Sequence, residues 1–239
     1  MQVIHPFIVP IYWDFCGIGE KYFDNILDEY KGTEGRVISN LGGWQSNDFF
    51  DNPLQRDKLL LNIRNLSNHG IKHIEIGWDP NPEWSNLISE IKNNFKSINL
   101  GVASISNSQS LDSILSLDLN YSMSPIFKKE IHIKAIEYNQ LLIPGVSNID
   151  TFEKVINLGY KIIKIFPASK LGIDFPNKLK DFKEIDTFLI GAGGMKSSDL
   201  KTWLKNGYNA LAIGKELKNQ KPDQDLEIWL KDVHKNGYK

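Results

Sequence analysis

The sequence predicts a single parallel (β/α)8 barrel, and three observations predict it. From residue 54 onward, helical stretches alternate with short apolar runs, the pattern of a parallel sheet with crossover helices. The length of 239 residues suits one such unit, since barrels commonly run to about 250 residues. Gly70, Gly159 and Gly207 each close a helical stretch just ahead of an apolar run, where a positive φ costs little only for glycine.

The elements follow in order. Residues 2–13 and 36–41 are both candidates for the first strand, with a helix over 22–30 between them. Neither stands directly before the helix that begins at Leu54, because residues 42–53 are rich in Gly, Asn and Asp and read as loop. The chain therefore divides into an atypical N-terminal segment, residues 1–53, which has to supply the first strand, and a barrel-type unit, residues 54–239. Seven strands follow, over 71–76, 100–105, 119–123, 141–145, 161–166, 188–191 and 210–214. Each is short and apolar, as expected of strands covered outside and packed inside. Between them Leu87, Ile88 and Ile91 recur at helical spacing, as do Phe152, Val155 and Ile156, and Leu200, Trp203 and Leu204; these stripes face the core. An amphipathic helix over 225–235 closes the outer layer.

Composition narrows the function. Hydrophobic residues at 41% fill a core, yet no apolar run approaches the ~20 residues of a spanning helix, so no membrane partner is expected. The opening residues lack the basic region of a signal peptide, and a cytoplasmic location is expected. Cys16 is the only cysteine, which excludes an internal disulfide framework and a thiolate metal cluster. A formal net charge of −1 argues against nucleic acid, whose phosphates demand a clustered basic excess. A small-molecule substrate is what remains.

The strand over 161–168, Lys-Ile-Ile-Lys-Ile-Phe-Pro-Ala, places Lys164 in mid-strand with Ile162 and Phe166 on its own face. Burial of an amine disfavours its ammonium form, and a neutral amine attacks a ketone to form a Schiff base. The alternative is a lysine whose stem is buried while its head reaches out of the barrel mouth. Glu75 lies in Lys-His-Ile-Glu-Ile-Gly, on an inward face shared with Ile71 and His73. Opposite Lys164 it would carry protons during carbon–carbon cleavage; alternatively it is one half of a structural ion pair. Two glycine turns follow late strands, one with Gly193 and Gly194 ahead of Ser197 and Ser198, the other at Gly214-Lys215. Backbone amides there can form an anion site, although glycine turns also simply join strands to helices.

Five motifs carry a family resemblance: Glu75 in IEIGW, Ser124-Pro125 in YSMSP, Pro144-Gly145 in LLIPGVS, Lys164 in KIIKIFPAS and Gly193-Gly194 in GAGGM. In order and approximate spacing the chain resembles, over residues 53–216, the 2-keto-3-deoxy-6-phosphogluconate / 4-hydroxy-2-oxoglutarate aldolases, particularly the cyanobacterial type. The resemblance implies a class I aldolase, a homotrimer without metal or other cofactor, that releases pyruvate from a keto acid. It implies Lys164 as the Schiff-base residue and Glu75 as general acid and base. Ser104 stands where the family often has threonine, and Pro125 where a proline lines the keto-acid pocket. Gly145 and Phe166 would complete that pocket, and Gly193, Gly194, Gly214 and Lys215 would take the anionic end.

The chain also departs from that pattern. Asp79 occupies the place, four after the glutamate, where many members carry a substrate-binding arginine. Lys215-Glu216 replaces a small Gly-Ser or Ser pair, and the arginine-bearing first strand is not recognisable. The segment over 39–47 instead resembles the start of phage-type iron and 2-oxoglutarate oxygenases, which suggests a replaced or recombined N-terminus.

Two rival readings follow. His73, Glu75 and His132 formally match the two-histidine, one-carboxylate triad of an iron oxygenase. Against it, His132 is expected to face outward from the helix after Pro125, and such oxygenases are β-rich jelly rolls. The second rival is a non-catalytic barrel that keeps a keto-acid and phosphate pocket, because a fold does not guarantee its usual function.

Overall fold

The computed structural model describes residues 37–40, 50, 52–180, 187–214 and 224–236. The strand candidate at 2–13, the helix at 22–30 and the Lys215-Glu216 pair lie outside the described residues.

The chain alternates as β1 (Val37–Asn40), α1 (Pro53–Asn68), β2 (His73–Gly77), α2 (Trp84–Asn94), β3 (Asn99–Ala103), α3 (Ser108–Asp112), β4 (Tyr121–Met123) and α4 (Lys129–Glu137). It continues through β5 (Leu142–Ile143), β6 (Gly145–Val146), α5 (Ile149–Asn157), β7 (Ile162–Ile165), α6 (Ala168–Leu171) and α7 (Phe175–Lys178). The last elements are β8 (Phe188–Met195), α8 (Leu200–Lys205), β9 (Ala210–Ile213) and α9 (Gln224–Asn236). Local chemistry sets several of the helix starts. Asn52 accepts the Leu54 amide at 3.1 Å ahead of Pro53, whose missing N–H costs nothing there. Asn107 and Ser110 bond reciprocally in a capping box, and Asn148 accepts the Thr151 amide at 2.8 Å.

All neighbouring strands are parallel, in the order β5-β4-β3-β2-β1-β9-β8-β7-β6. The two ends of that order are halves of one strand split at Pro144. Leu142 and Ile143 pair with Ser122 and Met123 of β4, while Gly145 and Val146 pair with Lys164 and Ile165 of β7. Nine segments thus occupy eight positions, and the ring closes as a (β/α)8 barrel. Pro144 suits the changeover, because it has no N–H to leave unpaired and its carbonyl still accepts the Lys164 amide at 2.9 Å.

The first strand is β1, inside the candidate at 36–41, with Ile38 in register with His73 of β2 and Ala212 of β9. From sequence this candidate stands too far from α1, because Asn40 and Pro53 are further apart in the chain than strand and helix in most βα units. Hydrogen bonding to both neighbours decides the placement, and distance along the chain does not.

Two apolar layers follow from strand alternation. Ile74, Ile76, Leu100, Val102, Ile163, Ile165, Leu189, Leu211 and Ile213 point outward and meet the helices. There they pack with Leu87, Ile88 and Ile91 of α2, with Phe152, Val155 and Ile156 of α5, and with Leu226, Trp229 and Leu230 of α9. Burying one such isoleucine contributes about 1.5–3 kcal/mol. Tyr121, Met123, Ile143, Ile162, Phe188, Ile190, Ala192, Ala210 and Ala212 form the inner cluster that fills the barrel. Ile71, expected to face inward, joins the outer cluster instead, because β2 starts only at His73. Among the described residues no helix is long and apolar enough to cross a membrane.

Candidate active site

β2 is buried along its whole length. Ile74 and Ile76 belong to the outer layer, so His73 and Glu75 point into the barrel, and Glu75 is 0% exposed. On β7, Ile162 belongs to the inner cluster, which places Lys164 on the same inward face, 4% exposed. The ring takes four steps from β2 to β7, half of its circumference. Carboxylate and amine therefore enter one interior from opposite walls. The lysine head does not reach out to bulk water; its Nζ lies 5.4 Å from the centre of the Phe166 ring.

The other expected residues gather where the strands end, the face on which barrels build their sites. Ser104, exposed after β3, adopts a φ of 69°, a left-handed backbone unusual for a residue with a Cβ. Pro125 and Gly145 touch: a Cβ on Gly145 would collide with the Pro125 carbonyl. Gly193 and Gly194 have φ of 89° and 80°; a Cβ on the first would lie 2.9 Å from the Phe166 ring, and one on the second would strike Ser169. Phe166 thus packs between Lys164 and the glycine turn, and Gly214 follows β9 on the same face. Asp79, half-buried beyond β2, spends one oxygen on the Asn81 amide at 2.8 Å.

The structure corrects the expectation for His132. It is 2% exposed, not outward-facing, because Ile131, His132 and Ala135 share the buried face of α4. Burial lowers its pKa from 6.5 to about 3, so the ring is neutral. Nε2 lies 3.2 Å from Ser124 Oγ and Nδ1 lies 3.0 Å from Tyr160 Oη. The iron triad is not assembled: His73 and Glu75 are inside the barrel, and His132 stands outside its wall with both nitrogens engaged. Among the described residues no three His, Cys, Asp or Glu side chains come together as metal ligands.

Sequence reasoning missed Tyr121. Its ring lies across Gly101, where any Cβ would collide with it, and Gly101 is in register with Glu75. The ring also stands 6.4 Å from His73, whose pKa falls to about 4 through burial and then through Lys72. The available signal is a glycine inside a strand, which marks a close approach.

Comparison with known proteins agrees with this architecture. The family model described as "Aldolase: KDPG and KHG aldolase" matches residues 54–228. The 2-dehydro-3-deoxy-6-phosphogalactonate aldolase of Escherichia coli (strain K12) is 22% identical over 163 residues, 67% of this chain and 78% of that protein. The 2-keto-3-deoxy-6-phosphogluconate aldolase of Zymomonas mobilis ZM4, solved with 3-phosphoglycerate, superposes with a TM-score of 0.69 at 18% identity, over 87% of this chain and 94% of its own. The KDPG aldolase of Legionella pneumophila, solved with pyruvate captured as a covalent carbinolamine intermediate, gives 0.64 at 18% identity, over 82% and 94%. With the family model matching residues 54–228, well over half of its length, the chain belongs to the KDPG and KHG aldolase family.

Proposed function

We propose that this chain is a class I aldolase, working in the cytoplasm as a homotrimer. It cleaves a 2-keto-3-deoxy (phospho)sugar acid or 4-hydroxy-2-oxoglutarate to pyruvate and an aldehyde. The observation that carries the reading is a lysine buried in the barrel interior, across from a fully buried glutamate.

In this reading the amine of Lys164 attacks the C2 carbonyl and forms a carbinolamine. Glu75 gives a proton to the departing hydroxyl, and water leaves to form the iminium. The iminium draws the C3–C4 electrons towards nitrogen while Glu75, now a carboxylate, takes the proton of the C4 hydroxyl. The aldehyde departs, the enamine is protonated at C3, and water releases pyruvate from Lys164. Ser104, Pro125, Gly145 and Phe166 surround the keto-acid half. The amides around Gly193, Gly194 and Gly214, with Lys215, take an anionic far end. Ile126 and Ile133, both exposed, offer apolar surface to a neighbouring subunit.

The test is reductive trapping. Pyruvate with borohydride should fix the pyruvate carbon skeleton on the protein, and peptide mapping should find it at Lys164. No adduct, or an adduct at another lysine only, would leave the non-catalytic keto-acid and phosphate-binding barrel as the better reading.

A further inference from the structure

We infer that His132 is a positioning residue for Lys164, acting through Ser124 on the Gly145 amide at the point where the barrel closes. The inference rests on the reading of Lys164 as nucleophile.

The wall is thinly paired where it closes at Pro144. Leu142 and Ile143 are in register with β4, and Gly145 and Val146 with β7. Lys164 depends on this segment, since its own amide donates to Pro144 and its Cα is in register with Gly145. The Gly145 amide finds a side chain in place of a ladder partner: it donates to Ser124 Oγ at 3.1 Å. That hydroxyl in turn donates to the Ile143 carbonyl at 3.3 Å. One lone pair of Ser124 is left, and His132 Nε2–H fills it at 3.2 Å.

This tautomer leaves Nδ1 as acceptor for the Tyr160 hydroxyl at 3.0 Å, just before β7 begins. A continuous buried chain therefore runs from the entry of the lysine strand, through α4 and the end of β4, to the segment against which Lys164 is paired. Phe127 packs on the imidazole at 4.9 Å between ring centres and holds it in place. Such a chain matters because a displacement of about 1 Å at a reacting group can cost about 100-fold in rate.

Two variants separate positioning from simple packing. His132→Phe keeps a ring but removes both hydrogen bonds, and His132→Gln puts an amide nitrogen where Nε2 was, able to donate to Ser124. Ser124→Ala, a smaller change, serves if the phenylalanine variant does not fold. Two quantities are read on the folded protein: hydrogen exchange at the Gly145 amide, and the rate of borohydride trapping at saturating pyruvate.

His132→Phe and Ser124→Ala should each raise exchange and lower the trapping rate by about tenfold, with His132→Gln recovering most of both. Lowered thermal stability with unchanged trapping and exchange would overturn the inference, and so would equal losses in the glutamine and phenylalanine variants. Absence of any adduct in the unaltered protein is a different failure, that of Lys164 as nucleophile. The exchange rate at Gly145 then still decides whether His132 holds the closure.

Discussion

The two walls that carry the candidate catalytic groups are built differently. Around Glu75 the wall is polar and aromatic, with His73 two residues away on the same face and the Tyr121 ring laid across the neighbouring Gly101. Around Lys164 it is apolar, with Ile162 and Ile190 in the inner cluster and the Phe166 ring beside the amine. The glutamate wall is also continuously paired, β2 running in register with β3 from His73 to Gly77, whereas the lysine wall borders the broken segment at Pro144. A carboxylate that shuttles protons suits polar neighbours, and the hydrocarbon around the amine keeps competing water from its side of the interior.

The largest test of this contrast is Lys164→Ala, which should abolish both turnover and the borohydride adduct while circular dichroism stays unchanged. Residual turnover close to that of the unaltered protein would make the apolar wall mere packing. Glu75→Gln keeps the shape but removes the proton carrier, so imine formation and cleavage should both slow by about 100-fold or more, with pyruvate binding retained. Near-normal rates there would assign the proton to another group or to a water.

A smaller effect concerns stability, because one buried histidine belongs to each side. Folding holds His73 and His132 neutral, with pKa lowered from 6.5 to about 4 and about 3, so the unfolded chain binds more protons as the pH falls below 6.5. Their effect on stability is therefore absent above pH 6.5 and grows as a loss towards pH 4, at about 1 kcal/mol per pH unit for each ring. Denaturant melts across that window should show a shallower pH slope in His132→Gln; an unchanged slope would mean that the ring titrates normally. The smallest effect is expected at the anion end, where Lys215→Glu should raise KM by about tenfold, more than it lowers kcat, and inorganic phosphate should compete with substrate. Equal turnover of phosphorylated and unphosphorylated substrates, unaffected by the substitution, would remove Lys215 from the site.

Local pattern made most of the barrel legible. The alternation of Ile162, Lys164 and Phe166 places the lysine on an inward face, and the inner cluster has Ile162 on that face. What depends on partners distant in the chain was not legible. β1 is identified by hydrogen bonds to β2 and β9, which its distance from α1 hides. The division of one strand at Pro144 is visible only once both neighbours are known. His132 reads as a polar surface residue until Ser124 and Tyr160 are found at its two nitrogens, although Ile131 and Ala135 already mark its face as buried.

Gly101 and Tyr121 share one parcel of interior volume, divided unequally between adjacent strands. A methyl group added at position 101 overlaps the phenol ring, and a small side chain at 121 alone leaves a void beside Glu75. A change at either position alone therefore disturbs the packing of the other. Growth on β3 is accommodated best by a matching loss on β4, so the two strands hold a single volume between them although neither position is near the other in the chain.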